Sequence, residues 1–221
     1  MKIAEGLYCY EWADYFENNC NSYFIGAPAG ILIDPGLKSH VPELLRRLAA
    51  DGIDGAEIRH IVNTHSHPDH FEGAAYFNGK GTSIGLHEEE ISFLAGTGGD
   101  LYDLFGLPKP RVDIDLLLDE GPLYLREEEL HIFHVPGHSP GSVALYWPIR
   151  RALFSGDVIF NQNVGRTDFP GGSGTLLKRS IVKLSGLEAE WLLPGHMDVI
   201  SGAEDVKRNF DFVIKNIFPY I

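Results

Sequence analysis

Thr64-His65-Ser66-His67-Pro68-Asp69-His70 sets three histidines and an aspartate within six residues, just after the apolar pair Ile61-Val62. Imidazole and carboxylate are donors that zinc, iron and manganese accept. A turn that had only to be stable has no use for four such groups crowded together. Each ring costs side-chain entropy and desolvation, and without a partner it adds no special stability. The segment therefore reads as a metal site.

Three further donors follow the same local grammar. His138 stands in Val135-Pro136-Gly137-His138, Asp157 in Phe154-Ser155-Gly156-Asp157, and His196 in Leu193-Pro194-Gly195-His196. Each is preceded by a short apolar run, Leu130–Val135, Ala152–Phe154 or Trp191–Leu193, and then by a glycine. Short apolar stretches bounded by Gly and Pro read as buried strands. Glycine permits a sharp turn, so the next side chain can point back over the sheet edge. With the first cluster, that makes four strand exits presenting metal donors, and they are expected to converge on one edge.

A chain of 221 residues is long enough for one well-buried domain. No linker, charge block or low-complexity run divides it, so a single domain over residues 1–221 is expected. The net charge of −13 argues against nucleic acid as a partner, because that binding draws on clustered Lys and Arg. No basic leader opens the chain, where Glu5, Glu11 and Asp14 read as a structured start, and no run approaches a membrane span. The expected location is the cytoplasm. Cys9 and Cys20 lack any redox or zinc spacing and read as buried, reduced thiols. Apolar periodicity predicts strands at 8–10, 21–25 and 30–34. It predicts helices at 41–50, 71–77, 88–95 and 175–184, and a C-terminal helix at about 203–217 packed on the domain. His40, His60, His87, His131 and His134 are expected not to be ligands. His131 and His134 fall on opposite faces of one strand and cannot both reach a cleft.

The His65-x-His67-x-Asp69-His70 motif, followed in order by His138, Asp157 and His196, resembles the metallo-β-lactamase superfamily. The resemblance runs from the Gly30–Gly36 stretch to His196. It implies a four-layer αβ/βα sandwich, two mixed β-sheets face to face with helices on both outer faces. It also implies two divalent metal ions, zinc first, with iron or manganese as alternatives. His65, His67 and His138 would hold one ion, Asp69, His70 and His196 the other, and Asp157 would bridge them. Asp34, at a strand end before Pro35-Gly36, is expected behind the ligands, bonding a loop or a ligand histidine, or else simply capping a turn. The superfamily's flavodiiron branch typically has glutamate where this chain has His67, which counts against electron transfer.

Within the superfamily, Gly156-Asp157-Val158-Ile159-Phe160 followed by Gly165-Arg166-Thr167-Asp168-Phe169 looks like the single-domain type II glyoxalases, which are hydroxyacylglutathione hydrolases. A similar Gly-Arg-Thr-Asp-Phe run occurs in the persulfide dioxygenases, which use one iron. The resemblance implies a small, thiol-linked substrate. The reaction it favours is thioester hydrolysis by a metal-bridging hydroxide, with Asp157 and Asp69 as catalytic residues. Persulfide oxygenation, or lactone or ester hydrolysis on the same fold, are the alternatives. Arg166 and Asp168 either pair within their loop and buttress Asp157, or Arg166 points at an anionic substrate. Two-domain type II glyoxalases place much of their glutathione recognition on a helical C-terminal domain. Only 25 residues follow His196 here.

Overall fold

A computed structural model describes residues 1–12 and 17–221; Asp14 lies outside the described residues. The first half of the chain builds a seven-stranded sheet from β1 (Lys2–Ala4), β2 (Leu7–Tyr10), β3 (Ser22–Ile25), β4 (Ile31–Ile33), β5 (His60–Val62), β6 (Ser83–Leu86) and β7 (Leu116–Leu117). The strands lie in chain order, antiparallel up to β4 and parallel from β4 to β7. The second half supplies β8 (Gly121–Leu125), β9 (Glu128–His134), β10 (Val143–Trp147) and β11 (Ala152–Gly156). After the two-stranded ribbon β12 (Ile159–Phe160) and β13 (Asn163–Val164) come β14 (Trp191–Pro194) and β15 (Ile200–Ser201). The order across this six-stranded sheet is β15-β14-β11-β10-β9-β8.

The period of two along each strand divides its side chains between two cores. Tyr23, Ile31, Ile33 and Val62 of one sheet meet Leu130, Leu145, Phe154 and Leu193 of the other in a shared inner core. Their neighbours Phe24, Leu32 and Ile61 face outward, onto Val41, Leu44 and Leu48 of α1 (Val41–Ala50). On the far side Ala144, Leu153 and Leu192 face outward beneath the last two helices. The result is a helix–sheet–sheet–helix sandwich, as expected of two sheets that each have two apolar faces to bury.

After β5 the structure departs from the simplest sequence reading. The periodicity predicts one helix over 71–77. Instead two single turns form, α2 (Pro68–Phe71) and α3 (Ala74–Phe77). Pro68 starts α2 inside the histidine motif, because its fixed φ suits a first helical position. The Gly73 N–H then donates to the Gly36 carbonyl at 2.7 Å and breaks the run. The remaining helices are α4 (Glu88–Ala95), α5 (Asp100–Leu104), α6 (Gly174–Ser185) and α7 (Ala203–Asn216). α7 buries Val206, Phe210 and Val213 beside Leu177 and Ile181 of α6.

The strand directions position the site. β9 and β11 are both antiparallel to β10, so they run the same way, and β14 is parallel to β11. The C-terminal ends of all three reach one edge, where they meet the end of β5. Backbone bonds join the sheets there, from Val143 N–H to the Thr64 carbonyl (2.8 Å) and from Asn21 N–H to the Gly195 carbonyl (2.7 Å).

Candidate metal centre

At that edge all seven predicted donors come together. His65 and His67 lie in the loop after β5, and Asp69 and His70 sit on α2. His138, Asp157 and His196 follow β9, β11 and β14. Three groupings have all their donor atoms within 4.8 Å of one another: His65 with His67 and His138, Asp69 with His70 and His196, and His65 with His70 and Asp157. Asp157 lies between the first two. Its Oδ1 is 3.2 Å from His70 Nε2, and its Oδ2 is 3.5 Å from both His138 Nε2 and His196 Nε2. His196 Nε2 is 3.2 Å from Asp69 Oδ2. All are buried except His196, which is partly exposed.

Hydrogen bonds behind the rings decide which nitrogens face inward. His70 Nδ1 donates to Asp34 Oδ2 at 3.0 Å, and His138 Nδ1 donates to the Arg166 carbonyl at 2.7 Å. Thr64 Oγ1 gives its proton to Asp34 Oδ2 at 2.7 Å, so it accepts from His65 Nδ1 at 3.1 Å. In each ring Nε2 is therefore left with a lone pair aimed into the cluster. His67 turns Nδ1 toward the cluster, 2.8 Å from His138 Nε2, while Nε2 of His65 and Oδ1 of Asp157 are buried with no hydrogen-bond partner. Buried polar atoms are normally satisfied. Converging lone pairs and carboxylate oxygens without protons between them suit divalent cations.

For His65, His67 and Asp157 the electrostatics agree, whereas at His70 and His196 burial is outweighed by anionic neighbours, Asp157 among them, and both rings are raised. Burial pushes His65 well below its ordinary pKa and His67 down to about 3, so both offer lone pairs at neutral pH. Burial by itself would raise the Asp157 carboxyl. His196, His70 and His138 around it outweigh that effect and hold it well below the carboxylate range.

Two glycines make the approach possible. Gly156 turns the chain at φ +49°, in the left-handed region, and an added Cβ would sit 2.6 Å from Thr64 Oγ1. At Gly195 a Cβ would run into the Asp157 carboxylate and lie 2.6 Å from His70 Cε1. Asp34 also adopts a left-handed φ of +51°, and its Oδ1 accepts the Thr64 N–H at 2.7 Å. It is thus behind the ligands and no mere turn cap.

The cluster floors a cleft of about 330 Å³ whose walls include Asn18, Phe105, Phe160, Val164, Arg166 and Phe169. Arg166 and Asp168 do pair, through two 2.7 Å bonds, with the guanidinium 3.7 Å over the Phe169 ring. Among the described contacts the pair makes none with Asp157. The expected buttress is replaced by the Arg166 carbonyl on His138. A larger open hollow of about 700 Å³ beside α7, lined by Asp205, Arg208 and Phe212, contains none of the seven donors among its described lining residues. The other histidines have local roles. His60 bonds Ser83 at 2.7 Å, His131 meets Glu129 at 3.0 Å, and His87 stacks on His134 at 4.3 Å.

Two contributors gave no usable signal in the sequence. The Arg166 carbonyl is a backbone group, and residue type says nothing about it. Glu90, third in the acidic run Glu88-Glu89-Glu90 that opens the helix expected at 88–95, is fully buried beside Ser66 and Ser139.

Comparison with known proteins agrees with this geometry. The family model of the metallo-beta-lactamase superfamily matches residues 15–196. The chain is 32% identical over 192 residues to a probable metallo-hydrolase of Methanocaldococcus jannaschii, covering 81% of this chain and 88% of the relative. It is 30% identical over 204 residues to the hydroxyacylglutathione hydrolase GloC of Haemophilus influenzae, with 88% and 92% covered. Among solved structures, the TTHA1623 protein in a di-iron-bound form superposes with a TM-score of 0.72 at 32% identity, over 86% of this chain and 93% of that one. The BLEG-1 B3 metallo-beta-lactamase gives 0.73 at 30% identity, over 86% and 92%.

Proposed function

The chain belongs to the metallo-β-lactamase superfamily, and from that premise we propose that it is a binuclear metal-dependent hydrolase of thioesters, of the hydroxyacylglutathione hydrolase type. The observation that carries the reading is the pair of donor triads, His65/His67/His138 and Asp69/His70/His196, with the Asp157 carboxylate within 3.5 Å of nitrogens from both. Two divalent ions, when bound, supply a water acidified to near neutrality and a Lewis acid for the carbonyl oxygen. The chain's own residues do the rest. His65, His67 and His138 would hold one ion; Asp69, His70 and His196 would hold the second. Asp157, anionic at neutral pH, is placed to be shared. Asp69, with Oδ2 3.2 Å from His196 Nε2, would also help to shuttle a proton. Phe105, Phe160, Val164 and Phe169 give the cleft an apolar wall that would seat the body of a small substrate. A thiolate leaves with little protonation because its pKa is roughly 8.5, so thioesters are easier substrates than amides.

The test is metal content measured beside hydrolysis of S-lactoylglutathione and simpler thioesters, with a lactone panel in parallel. Two ions per chain and thioesterase activity are expected. At most one ion, and no thioesterase activity after loading with zinc or iron, would overturn the reading.

One grouping favours a second reading. His65, His70 and Asp157 offer two imidazoles and one carboxylate, the set that mononuclear iron oxygenases use. An iron-dependent persulfide dioxygenase on this site would consume oxygen with glutathione persulfide. Absence of uptake in iron-loaded protein that still hydrolyses thioesters excludes it.

A further inference from the structure

His65 and His67 stand on a loop from one sheet, and His138 stands on a loop from the other. A site that needs all three depends on how far apart those loops are held. Glu90, on the first turn of α4, lies between them and is fully buried. Its Oε2 accepts from the Ser66 N–H at 2.7 Å and from Ser66 Oγ at 2.6 Å. Its Oε1 accepts from Ser139 Oγ at 2.6 Å and from the Gly141 N–H at 2.8 Å. Ser66 is the residue between His65 and His67, and Ser139 directly follows His138. One carboxylate thus takes two bonds from each ligand loop.

The arrangement is specific in its chemistry. A buried carboxylate with no cation beside it is unfavourable unless its oxygens are met by donors. Here four short, charge-assisted bonds meet it, and such bonds are the strong ones. Tyr102 reinforces the same loop by donating to the Ser66 carbonyl at 3.0 Å. No bond links Glu90 to Asp69, His70 or His196 among the described contacts. Its bonds go to Ser66, Ser139 and Gly141, beside the donors of one triad.

We propose that Glu90 is a positioning residue that sets the spacing of His65 and His67 against His138, and so governs the affinity of the ion held by those three. The inference rests on the binuclear reading. It goes beyond that reading by assigning a role to a side chain that touches neither metal nor substrate.

The test is a titration of metal-free protein with Zn²⁺ and with Co²⁺, following stoichiometry, affinity and the Co²⁺ visible bands. In Glu90→Gln, one oxygen still accepts from one loop, but the amide N–H₂ meets donors on the other. One site should lose affinity by about 10–100-fold, the range seen when a ligand's supporting partner is lost. The other site should keep its affinity and its Co²⁺ spectrum. The double variant Ser66→Ala/Ser139→Ala removes two of the bonds while leaving the carboxylate and both backbone donors. It should weaken the same site even where Glu90→Gln does not fold. Glu89→Gln, changing the exposed neighbour, should change neither site. Two sites at wild-type affinity in both Glu90→Gln and the double variant, or equal loss from both sites, would overturn the proposal. Fewer than two ions bound by the wild-type chain would instead refute the binuclear reading itself.

Discussion

Asp34 Oδ2 lies 3.0 Å from His70 Nδ1, and that contact sets which nitrogen of the ring faces the cluster. The same carboxylate holds Thr64 through two further bonds of 2.7 Å, and Thr64 in turn orients His65. Asp34 therefore aligns two rings without touching a position where an ion would sit.

Replacing Asp34 should weaken metal binding while the sandwich stays folded. Asp34→Asn keeps a residue that tolerates the left-handed φ of +51° but has one acceptor oxygen, so it cannot accept from both the Thr64 N–H and His70. A drop of roughly 10–100-fold in metal affinity or rate is expected. Asp34→Ala adds backbone strain of about 1–2 kcal/mol. Metal titration and thermal melts of the two variants separate these effects, and wild-type affinity in Asp34→Asn would contradict the role.

Asp157→Ala should empty or loosen both metal positions. Removing a shared anion leaves two cations facing each other without compensation. Activity should fall by several orders of magnitude with the far-UV spectrum unchanged. The decisive measurement is metal stoichiometry: two ions still bound would rule out a bridging carboxylate.

Gly195→Ala tests the close approach. The added methyl would meet the Asp157 carboxylate and the His70 ring. Loss of metal and of activity is expected. Gly186→Ala, where the nearest neighbour is 3.7 Å away, should be silent. Equal metal content in the two variants would show that the loop yields more easily than its packing suggests.

Chelation should destabilise the fold. An ion at 100 times its dissociation constant contributes about 2.7 kcal/mol, which for a domain of this size corresponds to a fall in melting temperature of roughly 5–10 °C on adding EDTA. Scanning calorimetry with and without chelator makes the comparison. Coincident melts would mean that the cluster's lone pairs do not need a cation for stability.

The two thiols should be silent in the native state. Burial pushes Cys9 up to about 12 and Cys20 to about 11. At pH 8 the thiolate fraction of Cys20 is then about one part in a thousand. A disulfide reagent should label neither residue until denaturant is added, and then both. Raising the pH should speed labelling, since only the thiolate reacts. Rapid native labelling would show that the thiols are open to solvent.

The juxtaposition of seven donors was legible because each ligand segment carries its own apolar run and, after β9, β11 and β14, its own glycine. The architecture was legible for a related reason, since strands with two apolar faces must be covered on both. What escaped has physical causes. The break between α2 and α3 at Gly73 depends on a backbone bond to Gly36, which lies outside any local window. Phe105, part of the cleft wall, follows the short helix α5 in a stretch without clear periodicity. Glu90 looks like its neighbours in every compositional respect. Only the fold turns it inward, so burial separates three consecutive glutamates that no pattern could tell apart.

The donors are divided between the two halves of the sandwich, with His65, His67, Asp69 and His70 in the first and His138, Asp157 and His196 in the second. On a ribosome the first group emerges long before His196, the last donor, has been added. Domains tend to fold as units as they emerge. The half-sandwich that precedes β8 holds only an open fragment of either coordination set. Capture of an ion by either complete set would therefore have to wait until β9, β11 and β14 have docked beside the first sheet.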